Sequence, residues 1–511
     1  MQLQQLQKKK DNWITYGLLG GIILFSLLFF GVLHPYIFLD GDDWFYLTFT
    51  RHAVPIWGAM EPTKVFSELG MSLATLLAHT LLEPLWFVED FVEATKHMNT
   101  LVVTFFVTAY GMACYYVGIH RGKLSKPTAA SFTVIFLLFH FLIFRKHLQG
   151  NDYLFHTSNV TCLYQYLLPM MMNAIMVMVC LCLDLEQLFL RKNSYYEKGF
   201  LLLGMLFALW SHLFASCLLG AYLGARLFWD AIGDLRKKNF VLKNYLFSHK
   251  IHLGFLGLFL LTQLFEANGK RADHVRTLNY FKEILDTLRV FWNLRRHLAP
   301  AMILFMVVLS LLVIVLAAKK MYATKKVLPL QEVDGILLLT ECFQFLYLVL
   351  LGGACGHSYY HRSEVVFGLF FVGFLLLLRM LTFLVHECPW LQMFLPLLCV
   401  IFLVECNTTL VTYQENNILK ISPDIVMEID RDILSQFKEA EALGQGYVEL
   451  KVPMADTKDN WPFTTYSKIY YAACAYRYGI TDQLMNCTNV IPTKEKNQEF
   501  HLNGIHPKGG H

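Results

Sequence analysis

Long apolar runs alternate with short polar joints from Trp13 to Glu405, and this alternation organises the chain. Runs of about 15–22 residues approach the ~20 that an α-helix needs to cross a hydrocarbon core of ~30 Å. They fall near 13–34, 98–118, 127–144, 163–183, 200–212, 214–229, 251–265, 299–318, 334–351, 364–384 and 389–405. The pattern predicts a polytopic α-helical membrane protein with about eleven transmembrane helices. The fifth and sixth runs are short, and Ser211-His212-Leu213 separates them. As a hairpin, their polar tip would stop partway across, which requires surrounding protein or a water-filled cavity. The alternative is one helix through 200–229, which leaves ten crossings and puts the C-terminal tail inside.

Basic residues sort the joints. Lys8–Lys10, Arg121/Lys123/Lys126, Arg191/Lys192/Lys198, Arg236–Lys238 with Lys243 and Lys250, and Lys319/Lys320/Lys325/Lys326 share one side if the runs alternate, the cytoplasmic side by the positive-inside bias. The heavy basic joint 230–250 favours the hairpin, an inner N-terminus and an outer C-terminus. The first run is longer than a cleavable signal core and lacks a small-residue cleavage site, so it reads as a retained helix.

Four outer segments then hold most of the polar residues. The first, 35–97, contains the acidic cluster Asp40-Gly41-Asp42-Asp43 and an amphipathic stretch, Lys64–Leu82, read as juxtamembrane. The second is 145–162, and the third, 266–298, is unusually basic for an outer segment. The fourth is the tail, which divides the chain into a membrane domain, 1–405, and a small α/β appendage, 406–511. Within the tail, Ile429–Leu443 reads as a helix, Gly446–Pro453 alternates like a strand, and Ser467–Tyr478 has helical spacing.

Composition narrows the function classes. With 56% hydrophobic and 16% charged residues, a soluble multidomain chain is excluded. The net charge of +4 is spread over inner joints and forms no continuous basic patch, so no nucleic-acid partner is expected. The chain has no Walker loop, no Gly-x-Gly-x-x-Gly after a strand and no Cys-x-x-Cys framework. Most of the twelve cysteines lie in apolar runs, while Cys474 and Cys487 in the tail could be bridged or free.

The acidic cluster is the most distinctive chemical feature, because carboxylates crowded at a membrane exit are costly without a use. A carboxylate near other carboxylates or apolar groups has a raised pKa and suits general-base work. Asp42 and Asp43 diverge by about 100° on a helix and could take different roles. The plain structural alternative makes Asp42 the N-cap of the helix that begins Asp43-Trp44-Phe45. Lys270, Arg271, Arg276 and Arg362 are candidates to neutralise a phosphate, or else to touch anionic headgroups. His357 and His361 are four residues apart, as helical metal ligands are, but the segment His357–Arg362, with Tyr360, reads better as a polar lip and no metal is expected. Asn151, Tyr153 and His156, and His212 at the hairpin tip, are polar groups at span-end depth that face a cavity or are satisfied internally.

These features resemble the membrane-embedded glycosyltransferases of the GT-C class, whose first outer loop carries an acidic pair just after the first helix. Asp42-Asp43-Trp44-Phe45-Tyr46 stands where that pair and its aromatics stand. More closely, the chain looks like the bacterial and phage Gtr-type enzymes that decorate O-antigen or other surface glycans. Glu266–Arg271, Ser358–Arg362 and the ending Trp461-Pro462…Tyr470-Tyr471…Tyr476-Arg477-Tyr478-Gly479 look like three further motifs of those enzymes. Two departures stand out: the Pro-Gly-Asn order is absent near Asn268, and no Glu accompanies Ser211-His212.

The resemblance implies hexose transfer, with glucose as the expected sugar, from a polyprenyl-phosphate donor on the outer face of a bacterial inner membrane, without a cofactor or metal. Asp42 would be the base, Asp43 and Asp40 would orient the glycan or lipid-linked acceptor, and a donor synthase and a flippase would be functional partners. Two alternatives remain: a polymerase or ligase that uses a diphosphate-linked donor, and a transporter. Transporters usually carry internal repeats and mid-membrane charges, and neither is evident here.

Overall fold

The computed structural model describes residues 2–49, 57–58, 60–145, 151–157, 159–192, 194–238, 240–269, 272, 279–326, 330–412, 421–457 and 459–502. Among these, nine helices are long and apolar enough to cross a membrane, so the architecture is polytopic and helical. They are Asn12–Leu33, Pro62–Leu82, Phe91–His120, Val160–Cys182, Lys250–Ala267, Pro300–Thr324, Glu332–Cys355, Ser363–Glu387 and Pro389–Cys406. Lys126–Leu142 is a shorter apolar helix. Burial ranks them: 78% of the apolar window of Val160–Cys182 is covered by protein, against 11% for Pro300–Thr324. The first is therefore the hub of the bundle, and the second exposes its side chains as a lipid-facing helix would.

The stretch 200–229 is not one helix. Tyr195–Leu209 stops, Trp210-Ser211-His212 breaks the ladder, and Leu213–Arg236 begins from an extended His212 (φ −164°, ψ 137°). Protein satisfies the carbonyls freed at the break: the Phe66 N–H donates to Trp210 O (3.3 Å) and the Ser67 hydroxyl donates to Ser211 O. This meets the condition for irregular backbone at such a depth.

The donors at this break come from Pro62–Leu82, which is more apolar than its amphipathic reading implied. Its length and composition suffice for a crossing. At its start, the Thr63 N–H and hydroxyl both donate to the Glu266 carboxylate at 2.7 Å. In its middle, the Ser72 hydroxyl donates to Tyr46 O (3.0 Å). Near its end, the His79 ring lies 5.9 Å from that of Tyr478 in the tail.

The tail builds a β-α-β unit. Strands Tyr447–Pro453 and Asn486–Thr493 pair in parallel, and such pairs need a crossover, supplied here by the helix Lys468–Arg477. Val448, Leu450 and Val452 alternate inward, while the helix Pro423–Ala442 covers the sheet. That helix starts six residues before the expected Ile429 because Ser422 caps it and Pro423 suits its first turn. Cys474 and Cys487 are buried free thiols, so the bridge is not formed.

The tail docks on the short helix Gly41–Thr48. Trp44 meets Tyr471 at 4.9 Å between ring centroids and Phe45 meets Tyr470 at 4.8 Å. The Tyr478 hydroxyl donates to Leu47 O (2.5 Å), Arg477 donates to Thr48 O, and Arg431 pairs with Asp90. The tail packs directly on Gly41: a methyl group there would lie 2.5 Å from both Thr464 Oγ1 and Ser467 Oγ.

Candidate functional site

The acidic cluster is sorted by the register of one helix start. Asp40, extended at φ −109° and ψ 174°, is the N-cap of Gly41–Thr48, in place of Asp42. Its Oδ1 accepts from the N–H groups of Asp42 (2.9 Å) and Asp43 (3.3 Å). Asp43 reaches back to accept from the N–H groups of Leu39 (2.9 Å) and Asp40 (3.5 Å), completing a reciprocal capping box. Asp40 and Asp43 are buried by this arrangement and Asp42 is exposed.

The second carboxylate oxygens of the buried pair reach the hub helix. Asn159 caps Val160–Cys182 by accepting from the Cys162 N–H (2.7 Å), and its amide donates to Asp40 Oδ2 (2.6 Å). The Thr161 N–H donates to Asp43 Oδ1 (2.6 Å). Two helix N-termini are thus laced by two carboxylates. Burial, opposed by these hydrogen bonds, still raises Asp40 to about 6 and Asp43 to about 8, Asp43 also through the neighbouring Asp40. Asp40 and Asp43 are turned toward backbone donors and Asn159, so orienting an acceptor is not the work their contacts show.

One turn further along the hub helix is a cationic site. Gln165 and Tyr166 lie in a π-helical turn, Leu163–Leu167, a local widening that often accompanies functional positions. Lys64 Nζ donates to Gln165 Oε1 (2.7 Å) and stands 5.7 Å from the centre of the Tyr166 ring. The Arg362 guanidinium is 5.3 Å from the same ring, and the His212 ring is 4.4 Å from it. Lys64, Thr63, His212, Glu266 and Tyr359 line a cavity of about 350 Å³. Lys64 in the lining and Arg362 over the adjoining Tyr166 ring, with an imidazole, phenol and amide groups and a Glu266 carboxylate held by Thr63, are chemistry that suits a phosphate ester with an apolar tail.

The other candidates separate. Lys270, Arg271 and Arg276 lie outside the described residues, although Ala267 and Ala272, on either side of the first two, line the cavity. The backbone of Asn151 pairs with Arg145 in a two-residue strand, and its side chain is outside the described set. Tyr153 is buried among Phe29, Phe141 and His156, a packing role away from the cavity lining. Tyr360 does not form a polar lip: it is fully buried, and its hydroxyl donates to Leu348 O (2.5 Å).

His357 pairs with Glu283 (2.7 Å), and His357–His361 is a 3₁₀ turn, so the two imidazoles do not share an α-helical face. With Asp286, His357 and Glu283 bring potential ligand atoms within 4.8 Å of one another, but Arg289 already occupies Asp286 at 2.6 Å. Of the expected pocket residues, His212 lines the cavity, and of the expected phosphate-binding residues, Arg362 stands over the Tyr166 ring near it. Lys64, Gln165 and Tyr166 were not singled out from the sequence. A lone lysine opening an apolar stretch was the signal for the first.

No family model, curated protein or solved structure matches the chain. The functional assignment therefore rests on the chemistry of the site.

Proposed function

We propose that the protein is a membrane-embedded glycosyltransferase that moves a hexose, glucose by the resemblance, from a polyprenyl-phosphate carrier to a hydroxyl of a glycan or lipid-linked acceptor. The observation that carries this reading is Lys64 in the cavity, with Arg362 over the neighbouring Tyr166 ring, on the same hub helix whose Asn159 and Thr161 hold the acidic cluster that presents Asp42. Asp42 is the member of the acidic cluster left facing solvent. As general base it takes the acceptor O–H proton while the acceptor oxygen bonds to the anomeric carbon. The anomeric C–O bond to phosphate breaks, its electron pair stays on the polyprenyl phosphate, and Lys64 and Arg362 neutralise that leaving group.

The membrane arrangement that supports this chemistry has eleven crossings, with the N-terminus in the cytoplasm and the acidic helix and tail on the outer face of a bacterial inner membrane. A synthase and a flippase would deliver the donor to that face.

Asp42→Asn is expected to lower sugar transfer at least ~10²-fold, the scale of a lost general base, with membrane expression intact. Wild-type transfer by this variant, measured with a defined polyprenyl-monophosphate donor, would sink the assignment. Lys64→Ala and Arg362→Ala should each raise donor KM. If both leave it unchanged and only a diphosphate-linked donor is used, the protein is a polymerase or ligase instead.

A further inference from the structure

Gly41, Thr464 and Tyr466 show that the tail reaches the acidic cluster itself. The Tyr466 hydroxyl lies 3.3 Å from where a side-chain carbon on Gly41 would stand, one residue from Asp42. The residues behind it fix its position. Thr464 and Ser467 are buried and share a hydroxyl–hydroxyl hydrogen bond, and Asn460 accepts from the Ala455 N–H while donating to Phe463 O. The Thr464 hydroxyl and the Tyr466 phenol both close on the Gly41 position, 2.5 and 3.3 Å from a side-chain carbon placed there. The ring nevertheless stays 55% exposed, although its neighbours Phe463 and Ser467 are buried. A braced aromatic face beside an exposed carboxylate matches what a pyranose needs: an apolar platform for its C–H face and an acceptor for its hydroxyls.

We propose that Tyr466, on the tail, and Asp42, on the first loop, together form the acceptor-sugar subsite, with Tyr466 as the platform that sets acceptor specificity. This rests on the glycosyltransferase reading and deepens it. The phosphate-neutralising groups Lys64 and Arg362, with His212, gather around Tyr166, five residues along the hub helix from Thr161. The acceptor and the carrier phosphate therefore approach from different elements. Burial, followed by the carboxylates of Asp42, Asp40 and Asp459, holds the Tyr466 phenol above its ordinary value, so it remains a neutral hydrogen-bond donor.

The test is sugar binding by the full-length protein in detergent, read by saturation-transfer NMR with methyl α-glucopyranoside, galactopyranoside and rhamnopyranoside as probes. At least one glycoside should show transfer with the wild type. In a titration, Tyr466→Ala should weaken that signal about tenfold, while Tyr466→Phe, which keeps the platform, should retain it. In transfer assays Tyr466→Ala should raise acceptor KM and leave donor KM within about twofold. No binding of any glycoside by the wild type, or full binding by Tyr466→Ala, overturns the subsite. Loss of the signal in Arg362→Ala but not in Tyr466→Ala also overturns it, by placing the sugar at the cation cavity. Neither result touches the general reading, which stands or falls on Asp42→Asn.

Discussion

Asp40, Asp42 and Asp43 have the same side chain, and the register of one helix start gives them different chemistry. Asp40 and Asp43 hold backbone donors, so removing either should affect folding more than turnover. Asp40→Ala deletes an N-cap and orphans the Asn159 amide, a loss of about 1–2 kcal/mol for the cap alone. It should lower the thermal midpoint of the purified protein by several degrees, whereas Asp42→Asn should leave the midpoint near wild type. Equal midpoints for Asp40→Ala and wild type would refute the capping role. The sequence announced the acidic cluster but could not show which carboxylate faces out, because the deciding partners, Asn159 and Thr161, are 119 and 118 residues away. Lys64 escaped for the same reason: its partners Gln165 and Tyr166 are remote in sequence.

At the scale of elements, the break at Trp210–His212 and the strand Tyr447–Pro453 were legible because a polar tripeptide and a strict alternation are local signals. The docking of the tail on Gly41–Thr48 was not, since it joins aromatic residues more than four hundred positions apart. That interface contains an unusual acid. Asp430 is fully buried in Pro423–Ala442, and neither of its carboxyl oxygens has a hydrogen-bond partner among the described residues. Burial first, then Asp43, raises its pKa well above the ordinary value.

A raised carboxyl holds its proton in the folded state at pH values where the unfolded chain has released it. The folded state then binds more protons, and stability falls as pH rises from the unfolded value toward the folded one. Asp43 adds to the same trend, its titration reaching about 8. The docked tail should therefore be firmer at pH 5.5 than at pH 8.5. Asp430→Asn, which cannot ionise, should flatten the dependence by raising the midpoint at pH 8.5 more than at pH 5.5. A thermal-shift series in which the variant parallels wild type at all pH values would remove Asp430 from this account. Gly41→Ala, colliding with Thr464 and Ser467, should loosen the same interface at every pH, seen as faster amide exchange in Lys468–Arg477.

For the whole molecule, the docked tail imposes a parity rule. Gly41–Thr48 follows the first span and touches Lys468–Arg477, so both must lie on one side of the membrane. The number of crossings between them is then even. Among the described residues eleven helices are candidates there: the eight long apolar ones, Pro62–Leu82, Phe91–His120, Val160–Cys182, Lys250–Ala267, Pro300–Thr324, Glu332–Cys355, Ser363–Glu387 and Pro389–Cys406, the shorter Lys126–Leu142, and Tyr195–Leu209 and Leu213–Arg236, which flank the break and are not among the apolar spans. Eleven is odd, so the set cannot all cross. The candidate to withdraw is Pro62–Leu82, whose start touches Glu266, middle Tyr46 and end Tyr478. On the proposed topology ten crossings then follow the first, and the parity is unchanged if the pair flanking Trp210–His212 is re-entrant. Single cysteines replacing Glu89 and Gln445 should react with an impermeant maleimide from the same side, and one replacing Lys237 from the opposite side. Glu89 and Gln445 labelled from opposite sides would mean that the tail cannot sit on the acidic helix, and the two-sided site built from Asp42 and Tyr466 would fall with it.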